Sequence, residues 1–193
     1  MNINNFARAM QGAGVKPSLF EVQGSIGGNQ SDLTPFLVRS ASLPGTVLGS
    51  IEVPFRGRRI KLPGDRQFAD WTISIINDGK FELRNAFETW VNNIQGVDSN
   101  TGVGAFVDQP PFNIPLFQDW TVNQLDRAGK PIKAYKLVGC FPTDISPIDL
   151  SYDASDQIEE FSVTLAYSYF VSNAGAVGVS DRNVGLIPLT ETN

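Results

Sequence analysis

Six carboxylates crowd residues 144–160: Asp144, Asp149, Asp153, Asp156, Glu159 and Glu160, with no Lys or Arg among them. Paired carboxylates do general acid–base work, and clustered ones hold calcium. The calcium reading fails on spacing. A helix–loop–helix site needs ligands at alternate positions and a Gly in mid-loop, and this stretch has neither. A glycosidase pair is left unconstrained by sequence adjacency alone. On its own terms the stretch is an acidic edge, either solvated or part of an interface.

The rest of the chemical inventory is sparse. The 193 residues include no His, which removes the Ser-His-Asp and Cys-His arrangements and the commonest metal ligand. The single Cys, Cys140, allows no intramolecular disulfide and no thiolate zinc site, and between Gly139 and Phe141 it reads as a small buried apolar residue. Gly24-Ser25-Ile26-Gly27-Gly28 and the Gly102–Gly104 pair are glycine-rich, but neither ends in Gly-Lys-Ser/Thr or leads into a helix, as a phosphate cradle requires. No catalytic residue, cofactor or metal is expected. No run approaches the roughly 18 apolar residues of a membrane span, and the N-terminus lacks an apolar signal core. The expectation is a soluble protein made in a reducing compartment, with no membrane anchor. A net charge of −5 argues against tight binding of nucleic acid.

Charge is both scarce and sorted. Asp, Glu, Lys and Arg make up 18 % of the chain, below the usual level of about 25 %. Residues 55–66 carry Arg56, Arg58, Arg59, Lys61 and Arg66 against one acid, Asp65. Two readings stay open. The basic and acidic stretches are solvated loops, or they are complementary edges that meet between copies of the chain. A basic edge against an acidic one is a head-to-tail contact, which closes into rings or runs on as filaments. The interface candidates are then Arg56, Arg58, Arg59 and Lys61 on one side, and Asp144, Asp149, Asp153, Asp156, Glu159 and Glu160 on the other.

These stretches must be positioned by mostly extended chain. A short N-terminal helix is expected, capped by Asn4 or Asn5, with Phe6, Ala9 and Met10 on its apolar side. Leu19–Val22 is extended, Gly27-Gly28-Asn29 is a turn, and Phe36 and Val38 belong to the next strand. Ile51, Val53 and Phe55 alternate into a hairpin tip at Phe55-Arg56-Gly57-Arg58, and Ile60 and Leu62 return from it before Pro63-Gly64-Asp65 punctuates the chain. Trp71, Ile73 and Ile75 alternate again. One helix is clear: Asn77-Asp78 caps it, and Leu83, Phe87, Trp90, Val91 and Ile94 form one stripe. Residues 96–118 read as a long loop, a second hairpin turns at Asp126–Pro131, and Phe141-Pro142-Thr143 turns the chain. Ile148, Leu150 and Tyr152 alternate, and Phe161 to Tyr169 is the longest strand. The sum is an all-β antiparallel sandwich or barrel with one main α-helix. Residues 1–171 form the domain, and 172–193 an extension or arm.

The block Pro63-Gly64-Asp65-Arg66-Gln67-Phe68-Ala69-Asp70-Trp71-Thr72, followed by Asn77-Asp78, resembles the tail tube proteins of contractile-tailed bacteriophages. So, in order, do Lys16–Val22, Leu43-Pro44-Gly45 before the basic hairpin, Gly139–Thr143 and Ile158–Tyr167. The resemblance implies a virion protein whose strands join across six subunits into a ring barrel. Stacked rings would form a tube, wrapped by a sheath, that conducts DNA. Implied partners are further copies of the chain, the sheath, baseplate and terminator proteins, and the tape measure protein and DNA in the lumen. The hairpin at Arg56–Arg59 would pack between rings, the helix 79–95 would lie outside, and the lumen would be acidic or small and polar. Two other readings compete. One is the tube of a related injection machine, a tailocin or type VI-like system. The other is a monomeric β-sandwich binding carbohydrate, which needs Trp71, Trp90 or Trp120 exposed, and Trp71 and Trp90 sit on buried-looking faces. An enzyme lacks any site.

Overall fold

Strict alternation builds the body. In the computed structural model, which describes residues 3–5, 14–26, 29–30, 34–96, 116–153 and 156–174, ten strands and two helices follow one another. They are β1 (Phe20–Ile26), β2 (Asn29–Gln30), α1 (Thr34–Leu37), β3 (Val38–Ala41), β4 (Thr46–Phe55), β5 (Arg58–Phe68), β6 (Trp71–Ile76), α2 (Glu82–Ile94), β7 (Gln118–Leu125), β8 (Pro131–Ile145), β9 (Glu160–Ala166) and β10 (Tyr169–Ala174). Residues 3–5 are helical, but Phe6, Ala9 and Met10 lie outside the described residues, as do the Gly27-Gly28 turn, residues 97–115 and residues 175–193.

The main sheet has the order β2-β1-β7-β8-β9-β6-β3, with β10 also on β8. Its organising strand is β8. The first part of β8 pairs with β7 and with β10, and the last part pairs with β9. Between them Gly139 adopts φ +69, and a Cβ there would lie 3.0 Å from Ser168 Oγ. The Gly139 N–H donates to Asp119 Oδ1 at 3.2 Å, and the Ser168 N–H to the Val138 carbonyl at 3.0 Å. The strand therefore bends where the sequence pointed to a chain turn at Phe141-Pro142-Thr143, and it continues to Ile145 in a second half-sheet. A bulge with a glycine at positive φ is the usual way for one strand to serve two sheets.

The two half-sheets face each other across an aromatic core. Trp71 of β6 meets Trp120 of β7 edge-on at 6.0 Å, and Phe87 of α2 stacks on Trp120 at 6.0 Å. Trp71, Trp90 and Trp120 are all buried, so they offer no sugar-stacking platform. Gly24 pairs with Trp120, and a Cβ on it would lie 2.2 Å from the indole ring. That glycine makes room for the core; it does not cradle phosphate.

Several expectations shift for local reasons. Phe36 falls in the single turn of α1, not in a strand, and is exposed. Phe81 stands at positive φ before α2, so the helix starts at Glu82; Asp78 still caps it, its Oδ1 accepting the Glu82 N–H at 3.0 Å. Val91 is exposed, leaving Leu83, Phe87 and Trp90 as the buried stripe. Pro63-Gly64-Asp65 does not break the chain but lies inside β5: Pro63 pairs with Ser50 in a two-stranded sheet that is all edge, where a missing N–H costs no ladder bond. Ile148, Leu150 and Tyr152 form no strand, and Leu150 and Tyr152 project into solvent.

Candidate functional site

β4 and β5 form a sheet of their own, paired only with each other. The tip is a two-residue turn, Arg56 at φ 46 and Gly57 at φ 80, the mirror-image turn whose twist suits a hairpin. Register then sorts the side chains. Phe55 faces Arg58, Val53 faces Ile60 and Ile51 faces Leu62 on one side; Pro54 faces Arg59 and Glu52 faces Lys61 on the other. The first side is apolar and open to solvent, with Ile51 at 56 % exposure and Phe55 at 60 %. The second side is ionic: Glu52 takes Arg59 Nη1 at 3.0 Å and Lys61 Nζ at 3.7 Å. Arg56 leans over the Phe55 ring, 5.6 Å from its centroid. Among the described residues neither Arg56 nor Arg58 has an ion-pair partner.

The root of this arm is fixed to the body through aromatic rings. Phe68 at the end of β5 lies 5.9 Å from Tyr167 and 5.5 Å from Phe170, and Phe170 lies 5.8 Å from Tyr135. Gly49 and Gly64 let the two backbones close at the bulge between Leu48 and Ser50; a Cβ on Gly64 would sit 3.1 Å from the Gly49 carbonyl carbon.

The acidic stretch is divided by the fold. Glu160 at the start of β9 forms an ion pair with Arg39 of β3. Glu159 accepts Asn77 Nδ2 at 2.9 Å, and its carbonyl accepts the Asn77 N–H at 2.9 Å. These two brace the edge of the sheet against the entry to α2. Asp144 lies exposed in β8, and Asp149, Asp153 and Asp156 are exposed in the connection to β9. That connection also exposes Leu150, Tyr152 and Ile158 at 70 % or more, beside an open pocket of about 410 Å³ lined by Ile148, Asp149 and Ile158. Arg84 supports it from α2, donating to the Ser146 carbonyl at 2.8 Å and lying over the Phe161 ring.

The two patches sit at opposite ends of the same strands. β6 and β9 run from the pair Trp71–Leu165, beside the root of the arm, to the pair Ile76–Glu160, beside the acidic loop. The structure thus groups Arg56, Arg58, Arg59 and Lys61 on one arm, and Asp149, Asp153 and Asp156 on one loop, without bringing the two groups together. Sequence reasoning missed Glu52, which lies outside the basic window, and the fully exposed Leu150 and Tyr152. Glu52 was within reach: placing the turn at Arg56-Gly57 sets it opposite Lys61.

No chemistry for catalysis is assembled among the described residues. No three metal-ligating side chains converge. Burial pushes the Cys140 thiol up to about 12, away from nucleophilic use. On the outer face of the half-sheet, Asp119 binds Lys136 at 2.8 Å. Partial burial raises the Asp119 carboxyl, but the bonds from Lys136 and the Gly139 amide outweigh it and leave its pKa lowered. That contribution to stability holds above the ordinary aspartate range and fades as pH falls through the lowered value. No helix among the described residues is long and apolar enough to cross a membrane.

Comparison with known proteins places this architecture. The tail tube protein gp19 of Enterobacteria phage T4 is 29 % identical over 172 residues, covering 88 % of this chain and 99 % of that protein. The tail tube protein of Serratia phage KSP90 is 31 % identical over 137 residues, covering 71 % and 73 %. Among solved structures, a chain of the anti-feeding prophage baseplate matches with TM-score 0.58 at 13 % identity, covering 80 % of this chain and 92 % of that one. A chain of the PVC sheath–tube complex matches with TM-score 0.55 at 19 % identity, covering 90 % and 99 %. These low identities speak for the shared all-β fold. The model of the phage tail tube protein family matches residues 1–173, which takes in both half-sheets, α2 and the arm; the chain belongs to that family and is a structural subunit of a virion's tail tube.

Proposed function

We propose that the subunit closes into a hexameric ring by joining its main sheet to that of the next copy, and that stacked rings form a tube through which DNA passes. The carrying observation is a pair of open edges on one half-sheet. Among the described residues β10 pairs only with β8, and along Phe20–Gly24 β1 pairs only with β7. Unpaired strands seek partners, and sharing them between copies leaves a closed sheet without edges. The two edges differ, so the contact is head-to-tail and generates a ring when the rotation closes. Sixfold closure draws support from the 6-fold symmetrised anti-feeding prophage baseplate.

The face of this half-sheet turned away from the core carries Glu21, Gln23, Asp119, Thr121, Asn123 and Lys136, the strand positions alternate to Val22, Trp120, Val122 and Leu137. As the lumen wall it is polar, with its cation held by Asp119. Such a wall has little to bind phosphates with, so DNA slides. A sheath outside the tube, a terminator and a baseplate at its ends, and a tape measure protein inside complete the assembly; sheath–tube, cap and baseplate structures among the neighbours support this. The subunit itself carries out no catalysis. Negative-stain microscopy of the purified protein tests the reading. Rings or tubes with a central hole are expected; monomers at every concentration would overturn it.

A further inference from the structure

The arm and the acidic loop are each unfinished, and in complementary ways. The arm offers an apolar face, Ile51, Val53, Phe55, Ile60 and Leu62, with Arg56 and Arg58 at its tip end. The loop offers exposed Leu150, Tyr152 and Ile158 among Asp149, Asp153 and Asp156. Each pairs apolar surface with one sign of charge, and the signs are opposite. Isolated exposed apolar side chains need no explanation, but a contiguous apolar hairpin face does. The charges that the fold itself consumes also differ from those it leaves over. Arg59 and Lys61 are occupied by Glu52, and Glu159 and Glu160 by Asn77 and Arg39, while Arg56, Arg58, Asp149, Asp153 and Asp156 make no ion pair among the described residues.

Within one subunit the two surfaces stand at opposite ends of β6 and β9. Resting on the tube-subunit reading above, we infer that the occupant of the acidic loop is the arm of a second copy. The arm lays Val53, Phe55 and Ile60 on Leu150, Tyr152 and Ile158, and Arg56 and Arg58 reach Asp153 and Asp156. Because the contact joins opposite ends of the molecule, it propagates along an axis. It uses neither β10 nor the free edge of β1, so it is separate from the edges that close a ring. Stacking and ring closure therefore depend on different residues. The order of charge and apolar surface gives the contact its division of labour: charge steers the tip to the loop, and the apolar face holds it.

Three variants of the full chain test this, with sedimentation velocity and negative-stain microscopy as readouts and circular dichroism as the check on folding. Arg56→Glu/Arg58→Glu should give single rings and no tubes, and so should Asp153→Lys/Asp156→Lys. Either should raise the concentration needed for tube growth by about tenfold or more, on the scale of like charges facing each other. The four-fold combination restores opposite charge and should restore tubes. Tubes formed by either one-sided variant at the wild-type concentration would overturn the inference, as would a combination no better than its parents. A second measurement avoids charge altogether. Val53→Cys/Tyr152→Cys, treated in assembled form with a short bis-maleimide, should give a ladder of linked subunits, since Cys140 is buried and silent. Products no larger than those of the single-cysteine variants would overturn it. Failure of the wild type to form rings would instead strike the tube reading beneath it.

Discussion

β6 and β4 are written in the same pattern and meet opposite fates. In β6, Trp71, Ile73 and Ile75 alternate with polar residues and are at most 1 % exposed. In β4, Ile51, Val53 and Phe55 alternate with Ser50, Glu52 and Pro54, and they stand 41–60 % exposed. Alternation says that one face of a strand is meant to be covered; it does not say by which molecule. In β6 the cover is the subunit's own, through β7 and α2. In β4 it is absent from the subunit, and the ionic pairing on the reverse face shows which side stays in water. Body and arm should therefore respond differently to the same kind of damage, and each substitution below measures the difference by urea unfolding at concentrations too low for assembly.

The largest effect belongs to the core. Trp71 touches Trp120 and donates its indole N–H to the Ser42 carbonyl at 2.7 Å. Trp71→Ala opens a cavity between the half-sheets and leaves that carbonyl unpaired, at a cost of about 3–5 kcal/mol. A loss below about 1 kcal/mol would mean that the half-sheets collapse onto the gap, and that the body is no more exacting than the arm. Next comes Gly24→Ala. The new methyl overlaps the buried Trp120 ring, which is pinned by Trp71 and Phe87, so overpacking should cost about 1–3 kcal/mol. A smaller effect follows from Gly139→Ala, where φ +69 and Ser168 Oγ both oppose a side chain; about 1–2 kcal/mol is expected. An unchanged midpoint there would show that β8 does not need its bend.

The sequence displayed the body better than the arm for reasons visible in particular residues. Trp71–Ile75, Phe161–Leu165 and the Leu83–Trp90 stripe obey single periods, and each lies on the core as its period requires. The hairpin tip was legible from Arg56-Gly57, because few dipeptides accept two positive φ angles. What stayed hidden depended on contacts distant along the chain. Gly139 looks like any glycine until Asp119 and Ser168 surround it. Pro63 looks like a terminator until it proves to lie in a free-standing hairpin with solvent on both flanks. Of the candidate interface, the grouping of Arg56–Lys61 was readable because those residues are neighbours in sequence. Which charges remain free was not, because Glu52, Asn77 and Arg39 claim theirs across strands. The family resemblance was carried by the Pro63–Thr72 block, and the match over residues 1–173 bears it out.

The smallest effect on folding should come from the arm, and it bears hardest on the comparison. Val53 is an apolar β-branched residue in mid-strand, like Val163 in β9, but Val163 is fully buried and Val53 is 41 % exposed opposite Ile60. Val53→Ser removes apolar surface that the isolated subunit leaves in water, so its own stability should change by no more than about 0.5 kcal/mol. The same substitution should cost tube growth far more than it costs folding, because the area it removes is buried only when another copy arrives. Folding and assembly thus read the two ends of one alternating pattern separately. If Val53→Ser instead lowers the urea midpoint as Val163→Ser does, the arm's apolar face is covered within the subunit in solution. The distinction between body and arm would then fail at its root.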